Sequence, residues 1–77
     1  MAVQVLFFGQ LTDITGTDQL VLEHVETTAQ LEQELLARFP ALVAVPFTMA
    51  LNHRLVTQEQ SLHQESIVAC MPPFSGG

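Results

Sequence analysis

The residues of this chain best suited to chemistry stand at its end, Met71-Pro72-Pro73-Phe74-Ser75-Gly76-Gly77. Pro72 and Pro73 fix two φ angles, remove two backbone donors and bias Met71 and Pro72 toward extended conformations, so a strand running into them must leave its sheet as an arm. Gly76 and Gly77 lack Cβ atoms, which lets the final peptide thread a narrow channel and bring a terminal carboxylate against another protein's backbone or a nucleotide phosphate. From Ser66 onward no side chain is charged. Burying the arm in a partner therefore desolvates only the terminal carboxylate, which Arg, Lys or backbone donors can match. Such a carboxylate can be activated by adenylation and then accept sulfur or an amine. On its two glycines alone the stretch fits a frayed terminus better, since disorder concentrates at chain ends.

Elsewhere the reactive residue types lack the spacing that chemistry needs. His24, His53 and His63 show neither the i, i+4 nor the short-loop spacing of a metal site, so turn or surface histidines are expected and no metal. Glu32 and Glu34 fall on different faces of a helix and make no acid/base pair. Cys70 has no His or cationic neighbour in sequence and reads as a buried, inert thiol. The chain has no phosphate-cradling Gly-rich loop and no Ser-His-Asp candidate.

Charge narrows the partners. Two Arg and no Lys stand against eight acidic residues, a net charge of −6. Arg38 and Arg54 cannot build the cationic patch that a nucleic acid requires, whereas a partner with a basic rim is attracted. No apolar run approaches the ~20 residues that span a bilayer, and Met1-Ala2-Val3-Gln4-Val5 has no basic leader. The single cysteine excludes an internal disulfide. A soluble, cytoplasmic chain without membrane or nucleic-acid partners is expected. Its 77 residues make one domain, burying only ~60% of the surface that its unfolded chain exposes.

The elements that must carry the arm follow from periodicity. Residues 2 to 8 alternate, with Val3, Val5 and Phe7 on one face and Gln4, Leu6 and Phe8 on an unusually apolar second face, until Gly9 ends the strand. Residues 10 to 14 leave room for one helical turn, stopped by Gly16 in the left-handed conformation. Asp18 to His24 alternates again and reads as the antiparallel neighbour of the first strand. Residues 28 to 39 predict the main helix: Thr27 and Gln30 match a capping box, Leu31, Leu35 and Phe39 recur every fourth position, and Pro40 closes the element. Ala41 to Pro46 reads as a connection with a short extended piece. Strands are expected at 47 to 52 and 54 to 57 around an Asn52-His53 turn, then a loop or single turn at 58 to 62 and a last strand at 66 to 71. The order predicts a small α+β domain with one helix across a mixed sheet. If the first and last strands are central and parallel, the arm leaves at one pole.

In this order and spacing, Val5-Leu6-Phe7-Phe8-Gly9-Gln10, Thr27-Thr28-Ala29-Gln30-Leu31, Asn52-His53-Arg54-Leu55-Val56 and the Pro-Pro-Phe-Ser-Gly-Gly end resemble the small subunits of molybdopterin synthase among the ubiquitin-like MoaD/ThiS sulfur carriers. The resemblance runs through essentially the whole chain. It implies a β-grasp domain over residues 1–71 and a flexible extended tail over 72–77. It further implies that an E1-type adenylating enzyme (MoeB-like) uses ATP and Mg²⁺ to activate the Gly77 carboxylate, and that a persulfide donor turns it into a thiocarboxylate. Pro72, Pro73, Phe74, Ser75 and Gly76 would then enter the large subunit (MoaE-like), where sulfur passes to cyclic pyranopterin monophosphate. The assembly that the resemblance implies is a heterotetramer. No cofactor is bound by the chain itself, and the pterin-binding and acid–base groups belong to the large subunit.

The resemblance also implies that Phe8, Leu55 and Met71 present apolar side chains to the large subunit and, by overlap, to the activating enzyme. Read from alternation alone, Phe8 and Met71 serve equally well to close the end of the core. Three departures from the family pattern stand out: the turn His63-Gln64-Glu65-Ser66 has no Gly, Cys70 stands where an aromatic or aliphatic residue is usual, and Phe74 replaces the common Val. Two other functions fit the same residues: a sulfur carrier for thiamine, cysteine or tRNA thiolation, and a β-grasp interaction module whose end is never activated. The Pro-Pro before the last four residues favours the molybdopterin reading.

Overall fold

Strand β1, Ala2–Phe7, alternates as its sequence requires, with Val3, Val5 and Phe7 buried and the side chains between them half-exposed. The computed structural model describes residues 2–72. After β1, Gly9 takes φ +60° and a short helix α1, Leu11–Thr15, buries Leu11. Gly16, at φ +75°, ends α1 and donates its amide to Thr12 O. Strand β2, Gln19–Glu23, returns antiparallel to β1 and sets Leu20 against Val5 and Leu22 against Val3.

Helix α2, Thr28–Arg38, lies across the inner face of the sheet through Leu31 and Leu35, both fully buried. Full burial of each such side chain is worth about 1.5–3 kcal/mol relative to exposure. Its cap is half as predicted. Thr27 Oγ1 accepts from the Gln30 amide at 3.2 Å, but Gln30 Oε1 accepts from the amide of Glu26 at 2.8 Å, one residue before the cap. The helix stops at Arg38. Phe39 leaves helical geometry ahead of Pro40 and packs its ring edge-on to Phe7, at 6.1 Å between centroids.

The connection that follows corrects the sequence reading. Residues 40 to 44 form a 3-10 helix, Pro40–Ala44, rather than an extended piece. Pro40 fits the first helical position, where its missing N–H is not needed, and buried Leu42 fastens the turn to the core. Strands β3, Thr48–Leu51, and β4, Arg54–Leu55, are shorter than expected. Asn52 and His53 join them with φ of +48° and +74°, the left-handed pair of a tight hairpin turn.

The segment from Val56 to Ser66 has no helix or strand of its own but is well anchored. The Leu62 amide bonds Glu26 O, the Thr28 amide bonds Gln60 O, and buried Thr28 Oγ1 accepts from the Gln60 amide. The glycine-free turn at 63–66 is made by Glu65 at φ +68°, with Ser66 Oγ accepting from the His63 amide. Strand β5, Ile67–Met71, then runs parallel to β1, Val5 opposite Val68 and Phe7 opposite Cys70, and antiparallel to β3.

The sheet order is β2-β1-β5-β3-β4. A mixed five-stranded sheet with central parallel strands and one main helix across one face is the ubiquitin-like β-grasp fold. Among the described residues, no helix is long and apolar enough to cross a membrane.

Candidate functional site at the open sheet face

The face of the sheet turned away from α2 is largely apolar across β1, β5 and β3, and among the described residues no element covers it. Strand register places Leu6, Ala69, Ala50 and Leu55 in one row across β1, β5, β3 and β4. Met71 and Thr48 form the next row toward the end of β5, and Phe8 follows β1 beside them, its amide bonded to Cys70 O at 3.1 Å. Leu6, Phe8, Ile67 and Met71 line a shallow groove with Ala50 and Ala69. Phe8 is 48% exposed and Leu55 61%, far more than core positions of the same type retain. His53 stands at the groove as well, and among the described residues no carboxylate or Arg lines it.

The structure thus brings Phe8 and Met71 together in one groove and places Leu55 on the same face, across Ala50 at the β4 edge. Leu6, Ile67 and Ala69 belong to this surface too, although the sequence reading does not single them out. A signal for them exists in the apolar second face of residues 4 to 8, and in the alternation of Ile67 and Ala69 with buried Val68 and Cys70.

At the root of the C-terminal stretch, Met71 pairs with Thr48, whose Oγ1 donates to Met71 O at 3.4 Å. Pro72 is half-buried against Gly9. Pro73, Phe74, Ser75, Gly76 and Gly77, expected to form the inserting and reactive end, lie outside the described residues.

Among the described residues the remaining reactive groups do not assemble. Cys70 is buried, and burial pushes its thiol up to about 12, the Glu32 carboxylate acting in the same direction. Arg38 is paired with Glu34 at 2.8 Å on the exposed side of α2. Among the described residues no three His, Cys, Asp or Glu side chains are grouped to hold a metal ion. What this part of the molecule offers is a largely apolar groove beside Pro72, with no carboxylate or Arg lining it among the described residues.

Residues 5–77 match the model of the ThiS family. The chain is 31% identical over 80 residues to the molybdopterin synthase sulfur carrier subunit of Haemophilus influenzae, covering 97% of this chain and 99% of that protein. Its fold is similar to the small archaeal modifier protein 1 of Methanosarcina acetivorans, with a TM-score of 0.85 and 24% identity over 99% of this chain and 96% of that one. It is also similar to a chain in the complex of subunits 1 and 2 of the molybdopterin-converting factor from Helicobacter pylori, with a TM-score of 0.75 and 22% identity over the whole of both chains. With a family match running through its C-terminal glycines and a near full-length relative, the chain belongs to the ThiS family.

Proposed function

We propose that this chain is the sulfur carrier subunit of a molybdopterin synthase. The observation that carries the reading is the 31% identity, across nearly the full length of both proteins, to a relative bearing that name. The chemistry of the C-terminal residues supports it. The Gly77 carboxylate attacks the α-phosphate of ATP in an E1-type enzyme, pyrophosphate leaves, and an acyl adenylate forms. A persulfide sulfur displaces AMP, and a second thiol cleaves the resulting acyl disulfide to release the thiocarboxylate. Sulfur then passes to cyclic pyranopterin monophosphate in the large subunit.

The open face fits a docking role for Phe8, Leu55 and Met71. A single face serving both the activating enzyme and the large subunit makes the two partners bind in turn. Carrier chains on both sides of a dimeric large subunit give the heterotetramer implied by the family, and the cytoplasm supplies the ATP and the reduced sulfur donors.

The test is intact and fragment mass spectrometry of the chain after incubation with the activating enzyme, ATP, Mg²⁺ and a persulfide donor. The expected result is replacement of one oxygen by sulfur in a C-terminal fragment lacking Met71, sensitive to a thiol-directed alkylator and lost on deletion of Gly77. An unchanged fragment rejects the carrier reading in favour of an interaction module. A thiocarboxylate that yields no molybdopterin with the large subunit and precursor keeps the carrier chemistry and rejects the pathway.

A further inference from the structure

We propose that Gly9 is a positioning residue for the C-terminal arm, its bare backbone forming the seat on which Pro72 rests and from which the arm is aimed. The inference rests on the sulfur-carrier reading for its functional consequence, and on geometry alone for the seat itself. A Cβ at Gly9 would lie 2.9 Å from Pro72 Cγ and 3.3 Å from Pro72 Cδ. The first distance is closer than carbon atoms approach, and the atom met belongs to a ring closed onto its own backbone, so it cannot swing aside as a flexible side chain would.

Nor is the other side of the contact free to yield. The Gly9 carbonyl accepts from both the amide of Thr12, at 3.2 Å, and its Oγ1, at 2.9 Å, which ties Gly9 to the first turn of α1. The preceding residue is held by the bond from its amide to Cys70 O. Met71 is held in turn by its pairing with Thr48. Between two fixed strand ends, Pro72 is the first residue able to move, and a side chain at position 9 displaces it. Gly9 also has φ +60°, which favours glycine on its own account, so the two demands must be separated. Gly16 separates them, for it has φ +75° and nothing within 4 Å of the point where a Cβ would stand.

Two measurements on the full chain decide the matter. In nuclear Overhauser spectra, wild type shows contacts from Gly9 Hα to the Pro72 ring, and Gly9→Ala shifts the resonances of Met71 and Pro72 while Gly16→Ala leaves them in place. Unmoved Pro72 resonances in Gly9→Ala overturn the proposal. In pyrophosphate release by the activating enzyme, Gly9→Ala lowers kcat by roughly ten- to a hundredfold, the scale of an ångström misplacement of a reacting group, with KM unchanged and Gly16→Ala at the wild-type rate. A loss confined to KM, or an equal loss in Gly16→Ala, also overturns it. A wild-type chain that is not adenylated rejects the sulfur-carrier reading instead, and the resonance shifts still decide whether Gly9 seats Pro72.

Discussion

Cys70 shows how burial governs reactivity in a single side chain. It faces the core opposite Phe7, and loss of hydration raises its thiol from the ordinary 9.0 to about 12, the carboxylate of Glu32 adding to the rise. A thiol held neutral is a poor nucleophile. Iodoacetamide at pH 8 is therefore expected to modify the native protein only as fast as it unfolds, a rate read by mass spectrometry against a urea-unfolded control. The same shift makes a stability prediction. Above pH 9 the unfolded chain releases a proton that the folded chain keeps, so the contribution of Cys70 to stability is intact below pH 9 and is lost progressively as pH rises toward 12. The chain has no Lys and no Tyr to titrate in that window. Thermal melts from pH 8 to 12 should decline in wild type and flatten in Cys70→Ala; parallel curves would remove Cys70 as the cause. The inert thiol was legible from the absence of cationic neighbours in sequence, whereas the contribution of Glu32 depends on the packing of α2 against β5.

At the scale of elements, α2 owes its start to local chemistry and its place to the core. Replacing Thr27 by Ala removes the acceptor for the Gln30 amide and should cost about 1 kcal/mol. Leu31→Ala removes a fully buried side chain and should cost about 2–5 kcal/mol. Urea titrations of both variants test the ranking, and a cap loss larger than the core loss would contradict it. Elements with a strong period of their own were legible: α2 and the two β1 faces stand where alternation and capping put them, whereas the parallel pairing of β1 with β5 enters the sequence reading only as a condition that the sheet order fulfils. The 3-10 helix was not, because Pro40-Ala41-Leu42-Val43-Ala44 is apolar without a period and its turn is fixed by Leu42 reaching the core. Nor was the anchoring of residues 60 to 62, which depends on Glu26, Thr27 and Thr28, more than thirty positions earlier in the chain. The missing glycine at 63–66 proved no obstacle, since Glu65 itself adopts the left-handed conformation.

For the whole molecule, the parallel pairing of β1 with β5 is the decisive feature, because parallel strands end at the same pole. It puts Phe8 and Gly9 beside Met71 and Pro72, so Pro72 stands at the end of the apolar groove rather than at an unrelated corner. Two exposed residues on the uncovered face separate the contribution of each edge. Leu55, in edge strand β4, is 61% exposed, and Val21, in the opposite edge strand β2, is 60% exposed. Register carries Leu55 through Ala50 and Ala69 to Leu6, in the row next to Met71, whereas Val21 pairs with Gln4, one row farther from the arm. Because both side chains lie in solvent, Leu55→Asp and Val21→Asp should each change stability by no more than about 0.5 kcal/mol. Their effects on docking should differ. Titration calorimetry with the molybdopterin synthase large subunit is expected to show at least a tenfold weaker Kd for Leu55→Asp, a loss of ~1.4 kcal/mol or more, and a change within twofold for Val21→Asp. Equal losses would spread the interface over the entire face. A loss at Val21 alone would move it to the β2 edge, and the arm would then leave from outside the docked surface.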